Sequence, residues 1–344
     1  MADTAITIVV VPRERFSCAT ASLESIYEHT HIPFNLVYID GNSPKSLSSY
    51  LEQQSQDKGF KIVQKDYYLY PNQARNLGIQ NADTKYIAFV DNDVIVSPGW
   101  LEALVDCADE TGAAVVGPLM CQHEPIHHEI HFAGGESHVW VDKLGRRRLR
   151  EKMLHQGKRV TDMRSKLNRE VTELAEFHCV LVRREIFEEI GLLDEAMLNT
   201  KEHLDFCMTV RENGGAVYFE PNSLVTYVPG TPQNLADIHY YMLRWSNSWT
   251  LSSLHHLRDK WRLAEDAYFT TKYKKLGWRR KMTFVAPVIY KLTFGLYSPK
   301  LERVMMWFEK RINQYLTRRH GLIQKQRYQR YSSSADTSTT LPGS

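Results

Sequence analysis

Residues 86–90, Tyr-Ile-Ala-Phe-Val, are apolar throughout and end abruptly in Asp91-Asn92-Asp93. A short unbroken β-favouring run predicts a strand buried on both faces, as in a parallel sheet covered by helices. Residues two apart in extended chain point the same way, so both carboxylates can converge on one point just beyond the strand end. Ligands of open α/β sheets bind at that carboxyl edge. A hard divalent cation takes oxygen ligands, and Mg²⁺ is usually held by one or two carboxylates together with substrate phosphates. Asp91-Asn92-Asp93 therefore reads as a metal and diphosphate site. A bare Asp-x-Asp is equally what a polar turn after a strand looks like, so the surrounding sequence has to decide.

The surroundings alternate strand and helix. Ile6–Val11 is β-rich and closed by Pro12. Leu23, Ile26 and Tyr27 have helical spacing, and residues 34–39 form a second strand running into Asp40 and the turn residues Gly41, Asn42, Ser43 and Pro44. Residues 60–63 are a weaker third strand, and residues 72–80 a short helix that brings Arg75 toward the same sheet edge. Ser97-Pro98 is a good helix start, with Trp100, Leu101, Leu104 and Val105 as its apolar face. Residues 113–116 make the next strand. The pattern predicts a three-layer α/β/α sandwich with a mainly parallel sheet.

Residues 121–176 interrupt it. They are polar, contain His123, His127, His128, His131 and His138, and carry a basic run at 146–150. No zinc-site spacing is present, so the expectation is a mobile loop region over the active edge with its histidines mostly exposed. Order returns with a strand at 179–182, a helix at 183–190 stopped by Gly191, a helix at 201–213, and strands at 216–219 and 224–228. Residues 1–230 are thus one domain, 231–330 a helical, basic, aromatic-rich region, and 331–344 a polar tail expected to be disordered.

Charge is uneven: residues 257–330 hold 19 Lys and Arg against 5 Asp and Glu, while the net charge of all 344 residues is only +3. Residues 279–297 alternate basic and apolar residues and are too interrupted to span a bilayer. Such a segment can lie on an anionic membrane surface, or pack as a helical face on its own domain; no nucleic-acid partner is expected. Five scattered cysteines without a C-x-x-C pair fit a reducing compartment, and no secretory signal is read at the N-terminus. The expected location is cytoplasmic, at the inner membrane face.

Three blocks resemble glycosyltransferase family 2. They are residues 37–43 (VYIDGNS), residues 74–101 (ARNLGIQNADTKYIAFVDNDVIVSPGWL) and residues 179–221, with Arg-Arg-x-x-Phe, Gly-x-x-Asp-Glu and an acidic helix. The resemblance implies the GT-A fold, a nucleotide-sugar donor, a glycan or lipid-linked acceptor, and Mn²⁺ or Mg²⁺ on the diphosphate. It implies donor contacts from Pro12, Asp40, Arg75, Asp91 and Asn92, and metal ligation by Asp93 with Asp91. A metal there would stabilise the charge on the departing diphosphate.

Two departures stand out. The family opens its acidic helix with Glu-Asp-x-Asp and uses the first Asp as general base; here Glu202-His203-Leu204-Asp205 puts His203 at that position. His203, Asp205 and Glu202 all stay open as the base. Many relatives also supply a metal-binding histidine after the last core strand, where this chain has Tyr227, with His239 as a downstream substitute. Trp245 and Trp249, four apart, are candidates for acceptor stacking or for core. A catalytically inactive nucleotide- or glycan-binding module on the same fold is the alternative reading. No G-x-G-x-x-G follows the first strand, which argues against a dinucleotide oxidoreductase. The segment after that strand, residues 11–17, has no glycine, which argues against a nucleotidyltransferase.

Overall fold

The computed structural model describes residues 5–228, 230, 232 and 235–337. The first half contains β1 (Ile6–Val11), β2 (Asn35–Gly41), β3 (Lys61–Lys65), β4 (Tyr86–Asp91), β5 (Val94–Val96) and β6 (Val115–Gln122). β7 (Glu129–Phe132), β8 (Gly135–Val141), β9 (Arg147–Met153), β10 (Glu170–Val171), β11 (Cys179–Arg183) and β12 (Val217–Tyr227) follow. All but β8 and β9 join one sheet, whose main path runs β10-β12-β6-β11-β4-β1-β2-β3.

β3, β2, β1 and β4 are parallel neighbours. The chain steps outward from β1 to β2 to β3, then returns through the helix Pro71–Gln80 to place β4 on the other side of β1. Right-handed crossovers put the helices Ala19–His29 and Lys45–Lys58 on one face and Pro71–Gln80 on the other, so the boundary between β1 and β4 is a topological switch point. The helix Pro71–Gln80 lies very close to β1: a Cβ added at Gly78 would come within 2.3 Å of Val9 Cγ1. That glycine is required by the close approach of the helix backbone to the Val9 side chain.

Beyond β4 the sheet is mixed. β11 is antiparallel to both β4 and β6, and β12 is parallel to β6. Residues 121–176, expected as a loop region, instead carry β7 and the antiparallel ribbon β8–β9, paired from Gly135 opposite Met153 to Val141 opposite Arg147. Cross-strand ion pairs such as Arg150–Glu136 at 2.6 Å and Arg148–Asp142 at 2.7 Å tie the ribbon, which is why its polar sequence gave little strand signal. Of its histidines only His123 and His128 are exposed; His127, His131 and His138 are partly buried. The five cysteines are free and buried.

The helix Leu235–Arg244 packs back on the sheet edge. Tyr240 donates to the Leu69 carbonyl at 2.7 Å and stacks on Tyr68 at 4.8 Å, and Asp237 accepts from the Phe16 amide at 3.1 Å. The helices Asn247–Lys260, Ala267–Lys274 and Ala286–Leu292 continue the C-terminal region. The last helix, Pro299–Thr337, carries regular backbone into the tail expected to be disordered; 338–344 lie outside the described residues. Among the described residues, no helix is long and apolar enough to cross a membrane.

Candidate active site

The switch point determines which side chains meet. Val11 is in register with Asp91, so Pro12-Arg13 and Asn92-Asp93 leave the sheet side by side. Asn92 locks the two exits together: its amide donates to the Val11 carbonyl, and its Oδ1 accepts from the Arg13 amide, each at 2.9 Å. Expected as a donor contact, Asn92 spends its side-chain oxygen on backbone. Asp40, at the end of β2, closes the next turn by accepting from the Ser43 amide at 2.9 Å. Pro12 is buried between them, its ring 3.2 Å from where a Cβ on Gly41 would sit.

Asp91 is fully buried and heavily partnered. Arg75 Nη2 lies 3.2 Å from its Oδ1; Arg13 Nε at 3.2 Å and His178 Nδ1 at 2.9 Å face its Oδ2. Burial alone would raise this carboxyl, but Arg13, Arg75 and His178 hold it below the ordinary range. Arg75 is itself fully buried, donates also to the Phe177 carbonyl at 3.3 Å and lies over the Phe177 ring at 4.2 Å. It positions Asp91 from the cleft floor.

Asp93 is the opposite case. It is 2% exposed, and its Oδ1 has no hydrogen-bond partner. Burial and the neighbouring Asp91 charge push its carboxyl up to about 7. Asp91, Asp93 and His178 bring ligand atoms within 4.8 Å of one another. Two carboxylates and an imidazole, with one buried oxygen unpaired, make a donor set that fits a divalent cation.

His178 escaped the sequence reading. It immediately precedes β11, and because Cys179 is in antiparallel register with Val90, the chain reversal sets His178 opposite Asp91, whose amide donates to the His178 carbonyl at 2.8 Å. Its ring stacks on Tyr227 at 4.0 Å between centroids. At the position where the resemblance leads one to expect a histidine, Tyr227 instead stacks on His178, which comes from the segment just before β11. His239, the other substitute considered, packs against Tyr68 at 5.1 Å instead.

Facing this cluster across a cleft of about 170 Å³ are Glu202 and His203, at the start of the helix Glu202–Glu212. Glu202 is buried, with Arg244 Nη2 at 3.7 Å and Arg13 Nη1 at 4.0 Å. Burial would raise its carboxyl, but Arg244, Arg75 and Arg13 keep it below the ordinary range, which makes it a poor proton acceptor. His203 Nε2 lies 3.3 Å from Glu176 Oε1. Asp205 turns away from the cleft, accepting from Trp261 Nε1 at 2.8 Å and Lys260 Nζ at 2.7 Å. Asp205 does not line the cleft that Glu202 and His203 share.

The two tryptophans separate. Ser246 caps a new helix by accepting from the Trp249 amide at 3.2 Å, so Trp245 and Trp249 do not share a helix face. Trp249 is core, packed on Tyr70 and His320. Trp245 stays at the cleft, donating to Glu14 at 2.7 Å beneath Arg279, which sits 4.0 Å from its ring. It also lines an adjoining pocket of about 580 Å³ with Thr200, Leu254, Lys275, Trp278 and Arg279. Arg13, Glu14, Glu176, Arg244 and Arg279 were not read from sequence; each is a common residue type that only the fold brings here.

A family model described as Glycosyl transferase family 2 matches residues 7–191. An uncharacterized glycosyltransferase of Rickettsia felis is 35% identical over 91 residues, covering 26% of this chain and 15% of that protein. Polypeptide N-acetylgalactosaminyltransferase 18 of Homo sapiens is 23% identical over 279 residues, covering 75% of this chain and 44% of that protein. The match thus spans less than half the length of either relative. A crystal structure of GalNAc-T7 with UDP, GalNAc and Mn²⁺ superposes with a TM-score of 0.51 at 16% identity, over 85% of this chain and 58% of that one, a likeness of fold. The family match covers more than half of the residues and runs from β1 through β4 and β11, the strands that build the cleft: the chain belongs to glycosyl transferase family 2.

Proposed function

We propose that the protein transfers a sugar from a nucleoside diphosphate donor to an acceptor hydroxyl with inversion, assisted by Mn²⁺ or Mg²⁺. The observation that carries this is the pairing of a cation-fitting cluster, Asp91, Asp93 and His178, with His203 and Glu176 across one cleft. Asp93, Asp91 and His178 would hold the metal, which when bound neutralises charge on the leaving diphosphate. Arg13 and Arg244 line the same cleft, and Arg279 has no carboxylate partner among the described residues. These guanidinium groups suit phosphate oxygens.

His203 Nε2 stands 3.3 Å from Glu176 Oε1, so the Glu176 carboxylate would steady the imidazolium that forms when the His203 ring takes the acceptor proton. One displacement with one base gives inversion. The acceptor would enter through the pocket that shares Thr200, Trp245 and Arg279 with the cleft, where the faces of Trp245 and Trp278 suit a sugar ring. A binding module without transfer was motivated by His203 and Tyr227. His178 beside Tyr227 offers an imidazole near that position, which weakens the second ground.

The test is donor turnover with a panel of UDP-, GDP- and dTDP-sugars, with Mn²⁺ and with chelator, scoring the anomeric configuration of the product by NMR. Metal-dependent turnover with an inverted product is expected. Metal-dependent nucleotide binding with no turnover of any donor would favour the binding module.

A further inference from the structure

The C-terminal helix Pro299–Thr337 buries polar side chains while leaving large apolar ones exposed. Its protein-facing side carries Glu309, Asn313 and His320, all buried. Glu309 accepts from Arg280 Nε at 2.5 Å, Asn313 donates to the Met242 carbonyl at 2.6 Å, and His320 meets the Tyr70 ring edge-on. Val304, Phe308, Ile312, Tyr315 and Leu322 recur at intervals of four, four, three and seven, which makes one helical stripe, and they are 53% to 63% exposed. Arg311, Arg318 and Arg319 are exposed on that same side, Arg311 lying 5.2 Å from the Trp307 ring. A helix normally turns its apolar stripe to the core.

The loop that precedes this helix repeats the pattern. Between the helix Ala286–Leu292 and Pro299, Phe294 is 98% exposed and Leu296 73%, with Lys291 and Lys300 at its ends. A contiguous exposed apolar surface of this kind marks an interaction site.

We propose that residues 278–326 seat the protein on an anionic lipid bilayer, lying in the interface without crossing it. This rests on the C-terminal surface alone and not on the transferase reading. Cations interleaved with apolar and aromatic side chains on one face match lipid phosphates above and acyl chains below. A second copy of the chain fits poorly, because a two-fold interface would set this cationic face against itself. Among the described residues, no helix is long and apolar enough to cross a membrane, so this segment is read as lying in the interface. Trp278 and Arg279 open this segment and also line the pocket beside the cleft, so a bound membrane would lie close to the acceptor entrance.

The test is flotation of the full chain with vesicles of phosphatidylcholine alone and of phosphatidylcholine mixed with phosphatidylglycerol, at physiological ionic strength. Flotation with the mixed vesicles only is expected, weakened roughly thirtyfold in the double variant Arg311→Gln, Arg318→Gln. The variant Phe294→Ser, Leu296→Ser should lose flotation while keeping the wild-type Tm. Equal flotation with both vesicle types, or none with either, would overturn the proposal. So would a dimer by light scattering that the Phe294→Ser, Leu296→Ser variant dissociates.

Discussion

His203 and Glu176 face each other at 3.3 Å, one from the start of the acidic helix and the other from the segment leading into β11. Burial alone would raise the Glu176 carboxyl, but His203, His178 and His131 hold it below the ordinary range, so it meets the imidazole as an anion. If His203 is the base, His203→Ala should lower kcat by about 10²- to 10⁴-fold while nucleotide affinity stays within twofold or so of wild type. Glu176→Gln should fall between the two, with its loss in kcat and not in KM for donor. Steady-state kinetics with titration calorimetry of the nucleotide separates these. A His203→Ala variant of unchanged kcat would remove the proposed base.

Asp93 is destabilising until something neutralises it. Buried beside Asp91, with one oxygen unpartnered, it is a charge the fold tolerates at a cost. Asp93→Asn keeps the shape and removes the charge. The metal-free variant should therefore melt a few degrees above metal-free wild type, and should lose the Mn²⁺-dependent part of nucleotide binding. Differential scanning calorimetry with and without Mn²⁺ reads both. An Asp93→Asn protein that melts lower and still gains stability from Mn²⁺ would place the cation elsewhere.

The parts of this site legible in sequence are those fixed by local pattern. The apolar run into Asp91 and Asp93, and the helix opening with Glu202-His203, each bring their residues to one place through strand or helix periodicity alone. His178 was illegible because its meeting with Asp91 depends on β11 running antiparallel beside β4, and strand order is not written in either strand. The Trp245 donation to Glu14 joins residues 231 apart. Trp245 and Trp249, open in sequence between acceptor stacking and core, part for a local reason: Ser246 is a good N-cap, and its presence between them signals a new helix. The ribbon β8–β9 was missed because charge pairs do there what alternating apolar residues do elsewhere.

Asp205 illustrates the same limit and gives a stability prediction. Its carboxylate holds Trp261 and Lys260, residues 56 and 55 positions later, and so ties the acidic helix to the C-terminal region. Asp205→Ala leaves the buried indole N–H unpaired and should cost about 1–3 kcal/mol in urea unfolding. Its kcat should stay near wild type at temperatures where the protein is folded. A large kcat loss with unchanged stability would return Asp205 to the catalytic set.

Glu151, on β9, joins three parts of the chain: Lys201 Nζ at 2.5 Å, Tyr268 Oη at 2.6 Å and Lys272 Nζ at 3.3 Å. Burial alone would raise its carboxyl, yet Lys201 and Lys272 hold it well below its ordinary value of 4.5. Because one carboxylate serves two ammonium groups, Lys201 is held charged, while burial and the Lys201 charge push Lys272 down to about 8. A carboxyl depressed in the folded state contributes stability that is fully present above the unfolded value and drains away as pH falls below it. Wild type should therefore lose stability as pH drops below about 4.5, and Glu151→Gln should show a shallower acid slope. At pH 7 the variant should be less stable, because Lys201 is then buried without its anion. Urea unfolding across the acid range measures this, and equal slopes for the two proteins would mean the carboxylate contributes nothing to holding β9 against the acidic helix.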